Sequence, residues 1–207
     1  METGKEKLAR YFAKRDMDKT PEPADLPTSD QEQDPLFVMQ KHAATNLHYD
    51  FRLAADGVLK SWAVPKGPST DPSTKRLAIA TEDHPMAYAN FEGVIPAGHY
   101  GAGTVLVWDQ GSYENTTEEN GERITVAQGI EKGQLTFRLH GQKLRGGYAL
   151  IRTGQGKGKQ WLLVKMKDGE ADAERNPVET EPRSVLSGRT LEEIADQGDA
   201  ETESSLK

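Results

Sequence analysis

Apolar and polar residues alternate with a period of two from Phe37 to Lys167, in short runs separated by Gly, Asp and Pro. Strand side chains point alternately to opposite faces, so each run is expected to form a half-buried β-strand. The runs are FVMQKH, HYDFRLA, VLKSWAVP, RLAIATED, GTVLVWDQGSYE, QLTFRLHG, GYALIRT and QWLLVKMKD. Asp56-Gly57 reads as the two-residue turn of a hairpin. Gln110-Gly111 reads as a turn followed by a further short strand, and GQGKGK as a glycine-rich hairpin loop. About eight strands with almost no helix between them predict a mainly β fold, a compact antiparallel β-barrel or a sandwich.

The flanks lack this alternation. KEKLARYFAKRDM predicts a short helix, with Leu8, Tyr11 and Phe12 at helical spacing, and KTPEPADLPTSDQEQDP predicts an extended segment. The chain therefore divides into an N-terminal arm (1–36), a barrel (37–167) and an acidic segment (168–207) expected to be a loose tail. Inside that tail, Thr190 and Glu193 form a capping-box signature ahead of a short helix in SVLSGRTLEEIA.

Composition narrows the chemistry. The 207 residues include no cysteine, which excludes disulfides, thiol catalysis and cysteine-held zinc. No apolar run reaches the ~18 residues of a membrane span. METGKEKLAR has no apolar signal core, so a soluble, cytoplasmic protein is expected. The net charge of −7 hides an asymmetry, because residues 168–207 carry 12 Asp/Glu against 4 Lys/Arg. Residues 131–167 carry nine basic side chains against Glu131 alone, a segment expected to face nucleic-acid phosphates.

The densest chemistry lies in QKHAATNLHYDFR, residues 40–52. By parity His48, Asp50 and Arg52 share one strand face, while Tyr49, Phe51 and Leu53 take the core face. Val38, Gln40 and His42 share a face before the AATNL connection. If that connection folds back, two imidazoles and a carboxylate converge, a ligand set suited to Mn, Fe or Zn with open positions. The plainer reading is a polar, solvated strand face. In KRLAIATEDHP, Arg76, Glu82 and His84 share parity, with Leu77 and Ile79 assigned to the core. Cations beside a metal suit a phosphate, and a histidine outside the metal shell suits proton transfer. Arg76 with Glu82 also reads as a cross-strand ion pair.

QKHAATNLHYDFRL, LKSWAVPKGPS, RLAIATEDHPMAYANFEGVIPAGHYGAGTV and YALIRT…QWLLVK, in that order, resemble the 3′-phosphoesterase domain of bacterial DNA ligase D and its free-standing relatives. The likeness runs from about Leu8 to Lys167. It implies a β-barrel with a Mn²⁺ site, and removal of a 3′-terminal ribonucleoside and then the 3′-phosphate at DNA breaks. It implies His42, His48 and Asp50 as metal ligands, and Arg52, Lys66 and Arg76 as groups that hold the phosphate or support the site. His84 matches an essential histidine near the scissile group. Gln40, Glu82 and Tyr88 match other active-site positions, as do Arg15, Asp16 and Glu22 in an arm that folds over the barrel. His99 receives no role. The partners implied are DNA 3′ ends, especially primer-templates ending in a ribonucleotide or a 3′-phosphate, with ligase and polymerase domains or proteins beside them. The ligase motif KxDG is absent, since KMKDG has Met166 at the lysine position. SVLSGRTLEEIA resembles the connector toward the ligase, so residues 168–207 are a tail or an interdomain connector.

Two other readings compete. His48 and Asp50 with His140, and Arg152 downstream, mimic the facial triad of a non-haem Fe(II) oxygenase. A barrel that holds DNA ends without chemistry is the second.

Overall fold

A computed structural model describes residues 4–26, 35–154 and 158–205. Parts of the extended arm (27–34) and of the GQGKGK loop (155–157) lie outside the described residues. Two short helices, α1 (Gly4–Lys7) and α2 (Ala9–Ala13), come first. The strands are β1 (Leu36–Ala43), β2 (Leu47–Ala55), β3 (Val58–Val64), β4 (Lys75–Ala80), β5 (Gly93–Ile95), β6 (Gly103–Asn115), the small pair β7 (Glu118–Glu119) and β8 (Glu122–Arg123), β9 (Gln134–Gly141), β10 (Arg145–Arg152) and β11 (Gln160–Lys165). A 3₁₀ turn spans Met86–Asn90, α3 spans Val126–Lys132, α4 spans Pro177–Thr180 and α5 spans Leu191–Ser205.

Antiparallel pairing runs β1-β2-β3-β4-β11-β10-β9-β6, and β6 pairs back with β1. The expected eight-strand barrel is therefore closed, with no free sheet edge in its wall. Asp56 and Gly57 both have positive φ, 54° and 78°, as the turn between twisted strands requires. The interior is filled by aromatics: Trp62 lies edge-on to Trp161, and Phe51 stacks on Phe137. A second apolar cluster covers the outer wall at β1 and β2, where Leu8 and Tyr11 of the arm pack with Val38, Leu59 and Tyr88.

Three expectations need correction. The turn at Gln110-Gly111 does not form: β6 is one continuous strand, paired with β1 and β9. Gly111 is needed there because a Cβ would collide with the His140 carbonyl. In β4 the faces are reversed, since Leu77 is 43% exposed and Ala78 fully buried. Ala78 and Ala80 stand opposite Trp161 and Trp62, and the indoles leave no room for larger inward side chains. Finally, the described part of residues 168–198 is not loose. Trp108 Nε1 donates to the Glu181 carbonyl at 2.7 Å, Thr70 Oγ1 donates to the Arg175 carbonyl at 2.6 Å, and Ile194 is buried. The acidic composition belongs to the outer surface of a segment whose backbone and few apolar residues cap the barrel. The capping box forms as expected, with Glu193 N–H donating to Thr190 Oγ1 and Thr190 N–H to Glu193 Oε2.

Candidate metal centre

The β1–β2 register places His42 directly opposite His48 and Gln40 opposite Asp50. Opposed residues share a face, so folding back at residues 44–46 brings both imidazoles and the carboxylate together. One ligand atom from each of His42, His48 and Asp50 lies within 4.8 Å of the others. His42 Nδ1 is 3.6 Å from Asp50 Oδ2, and His48 Nε2 is 3.8 Å from Asp50 Oδ1.

Backbone carbonyls set both imidazoles. His42 Nε2 lies 2.9 Å from the Gly101 carbonyl, and His48 Nδ1 lies 2.9 Å from the Asn46 carbonyl. A carbonyl only accepts, so each of these nitrogens carries the proton, and in the neutral ring the other keeps its lone pair. The two lone pairs then face the same carboxylate. Three electron-rich groups aimed at one point suit a cation between them, and carbonyl-oriented histidines are the usual surroundings of a bound metal. The residues fit a divalent metal.

Asp50 is suited to it. Burial opposes ionisation of its carboxyl, but neighbouring positive charge, Arg52 foremost, outweighs burial and holds it well below the usual carboxylate range. Arg52, 2% exposed, binds in every direction. Its Nε donates to Gln40 Oε1 (2.8 Å), its Nη1 to Ser61 Oγ (2.8 Å) and its Nη2 to Asp50 Oδ2 (3.2 Å), and its guanidinium lies 4.9 Å from the Tyr88 ring centroid. Gln40 is held in turn, donating to the carbonyls of Tyr88 and Phe91 at 3.0 Å.

His84 is fixed to the edge of β3 by reciprocal backbone bonds with Leu59. Its Nδ1 lies 2.9 Å from the Glu82 carbonyl, and its Nε2 lies 3.5 Å from Arg15 Nη2. Arg52 Nη1, a donor, also lies 3.0 Å from Nδ1, so donors face both ring nitrogens. Burial, then Arg52 and Arg15, push its pKa well below the ordinary histidine value, so His84 is neutral.

The arm closes one side. Arg15 Nε donates to Glu22 Oε1 (2.9 Å) and Nη1 to Glu82 Oε1 (3.2 Å), all nearly fully buried. Lys14 donates to Glu82 Oε2 at 2.9 Å, and the Tyr88 hydroxyl to Glu22 Oε1 at 3.0 Å. The result is a cavity of about 290 Å³ lined by His42, His48, Asp50, Arg52, Glu82, His84, Tyr88 and Arg15. Gln40 and Glu22 stand behind it, bonded to Arg52 and Arg15.

The structure does not bring every expected residue here. Asp16 is exposed and paired with Lys19 at 2.8 Å, and Lys66 is exposed beyond β3; neither lines the cavity. Arg76 stands opposite core residue Leu163, on the inward side of β4, so it neither pairs with Glu82 nor reaches the metal ligands. His140 pairs across β6 with Ser112, which pairs with Leu36. That is six residues along β1 from His42, about 20 Å at strand rise, so His140 cannot complete a triad with His48 and Asp50. Arg152 lies over Trp161 and donates to the Glu131 carbonyl. The parts the sequence left unseen are backbone carbonyls, Ser61, Lys14 and Tyr100. Carbonyls leave no residue-type signal.

The basic segment 131–167 divides between surface and interior. Lys143 donates to the Glu181 carbonyl, Lys165 to Asp168, and Lys132 pairs with Glu119. Lys132, Arg138, Arg145, Lys159 and Lys167 are exposed, and Lys157 lies outside the described residues. Among the described residues no helix is long and apolar enough to cross a membrane.

Residues 40–152 match the family model "DNA Ligase D 3'-phosphoesterase domain". The chain is 54% identical over 188 residues to the multifunctional non-homologous end joining protein LigD of Pseudomonas aeruginosa, covering 89% of this chain and 22% of that protein. It is 45% identical over 168 residues to the protein of the same description from Mycolicibacterium smegmatis, covering 79% of this chain and 21% of that one. It is 45% identical over 163 residues to the multifunctional non-homologous end joining DNA repair protein LigD of Mycobacterium tuberculosis, covering 79% and 20%. The chain thus spans about a fifth of the length of these relatives. By motif order, fold and match, the chain belongs to the DNA ligase D 3′-phosphoesterase domain family.

Proposed function

We propose that the chain is a DNA 3′-end-healing phosphoesterase. It removes a 3′-terminal ribonucleoside as a phosphodiesterase and then the 3′-phosphate as a phosphomonoesterase, leaving a 3′-hydroxyl for joining at a break. The carrying observation is the cavity in which His42, His48 and Asp50 converge while two guanidinium groups, Arg15 and Arg52, supply its other charge. A metal held by those three residues, with two arginines lining the same pocket, would suit a phosphate ester. The relatives' description as end-joining proteins supports DNA ends as substrates.

His42, His48 and Asp50 would hold the metal, for which we propose Mn²⁺, and when bound it supplies Lewis acidity at a phosphate oxygen. Arg52 acts chiefly as a bracket: it fixes Asp50 and Gln40 and keeps positive charge beside His84. Arg15, oriented by Glu22 and Glu82, is the second cation facing the phosphate. His84 Nε2 accepts a proton from attacking water or passes one to the leaving oxygen, and an arriving phosphate dianion offsets the two arginines that hold His84 neutral. Tyr88 stays protonated, burial raising its pKa, and keeps Glu22 in place. Asp16, Lys66 and Arg76 receive no phosphate contact in this reading.

Incubation of His48→Ala protein with Mn²⁺ and a primer ending in a ribonucleotide tests the assignment. The variant is expected to leave the primer untrimmed, and full trimming would sink the metal assignment. Wild-type protein that binds the primer without turnover would favour the non-catalytic reading.

A further inference from the structure

Of the 14 aromatic side chains (3 Trp, 6 Tyr and 5 Phe), all are described, and one ring is strongly exposed: Tyr100, at 47%. It lines the metal-site cavity. An aromatic ring left in water loses the burial that the other thirteen gain, so its place at the rim of a charged pocket asks for a partner.

The ring is also held. Lys14 Nζ sits 4.3 Å from its centroid and donates to its hydroxyl at 3.0 Å, and the Arg15 guanidinium lies 5.3 Å from the centroid. The loop that carries it is shaped by Gly98 and Gly101, with φ of 85° and 77°, which side-chain-bearing residues rarely adopt. The carbonyl of Gly101, next in the chain, is the one that orients His42. One loop therefore sets a metal ligand and presents an aromatic face beside it.

We infer that Tyr100 is the stacking platform for the nucleobase of the departing 3′-terminal nucleoside. The inference rests on the phosphoesterase reading and adds a specificity residue to it. A nucleobase offers a flat π-face whatever its identity, and aromatic stacking is how proteins hold single-stranded ends without reading sequence. The cations beside the ring add to its attraction for a polar, flat ligand and favour an adjacent phosphate. The choice of the departing nucleoside over the retained strand follows from the shape of the pocket. The arm, through Lys14 and Arg15, closes the Tyr100 side, which suits a single terminal unit. His48 and Ala63, both partly exposed, mark the open side through which a continuing strand passes.

The two substrates of the proposed pathway separate the possibilities, because a 3′-phosphate end has no departing base. Wild type, Tyr100→Ala and Tyr100→Phe would be assayed with Mn²⁺ on matched primers ending in a ribonucleoside or a 3′-phosphate. Tyr100→Ala is expected to lose roughly 5- to 150-fold in kcat/KM on the ribonucleoside end, the worth of one stacked base at tenfold per 1.4 kcal/mol. Its loss on the 3′-phosphate end should be at least fivefold smaller, and Tyr100→Phe should stay near wild type on both. A second readout needs no metal: a primer ending in 2-aminopurine riboside, mixed with protein in EDTA, should lose fluorescence on binding wild type or Tyr100→Phe and keep it with Tyr100→Ala. Equal losses on both ends, or quenching unchanged by Tyr100→Ala, would overturn the inference and leave the phosphoesterase reading intact. Wild-type protein inactive on both ends would overturn that reading, and the platform with it.

Discussion

At the scale of single residues, the site is a set of charges that hold one another in place. Asp50 and Arg52, 3.2 Å apart on one strand face, are each other's main compensation. His84 shows the consequence most simply. Its folded pKa lies well below the ordinary 6.5, through burial first and then Arg52 and Arg15. Below pH 6.5 the unfolded chain therefore binds a proton that the folded chain refuses, and stability falls as pH falls. The loss begins below pH 6.5 and continues down to the depressed folded pKa, and Tm falls with it. Thermal unfolding at pH 7.5 and 5.0 should show a smaller acid-induced drop in His84→Gln than in wild type; equal drops would contradict a neutral, buried His84. Much of this scale was legible beforehand. The alternation HYDFRL assigned His48, Asp50 and Arg52 to one face, because core residues Tyr49, Phe51 and Leu53 fixed the other. Arg15 and Glu22 were reachable only through family likeness, since a proline-rich arm has no periodicity to say where its side chains point.

At the scale of elements, hairpin register decides the chemistry. A one-residue slip between β1 and β2 would turn either His42 or the His48–Asp50–Arg52 face into the core. The turn at Asp56-Gly57 and the capping box at Thr190 were legible because turn and cap residues carry their own signal. The faces of β4 were not: the rule that larger apolar residues point inward fails where indoles from neighbouring strands already fill the space. The docked acidic segment was hidden for a related reason. Its attachments are mainly backbone carbonyls of Arg175, Glu181 and Arg183, taken by Thr70, Trp108 and Lys143. Removing everything after Lys167 would leave the Trp108 indole N–H and the Lys143 ammonium without these partners. At 1–3 kcal/mol for each unsatisfied buried group, the two together cost about 2–6 kcal/mol, or at least roughly 4–8 °C in Tm. Calorimetry of the shortened chain checks this, and an unchanged Tm would show that the segment is not part of the fold.

At the scale of the whole molecule, the closed barrel is a scaffold and its outer wall is the workplace. The interior holds apolar side chains, while the reactive groups stand on the outer faces of β1 and β2 and at the edge of β3, roofed by the arm and by the 82–101 region. Charge follows the same division. Of the basic stretch 131–167, Lys143 and Lys165 are internal ties while five described cations stay on the surface, and the cavity takes its guanidinium groups, Arg15 and Arg52, from elsewhere in the chain. The proposed reaction at this pocket is removal of a terminal ribonucleoside and then of a phosphate. Mass spectrometry of a primer ending in one ribonucleotide, followed over time with the full chain and Mn²⁺, tests it most directly. The expected result is a first product lacking the nucleoside but retaining a 3′-phosphate, then a second ending in a 3′-hydroxyl, with neither formed by His48→Ala protein. A primer whose mass never changes with wild-type protein, or identical products from the variant, would contradict it.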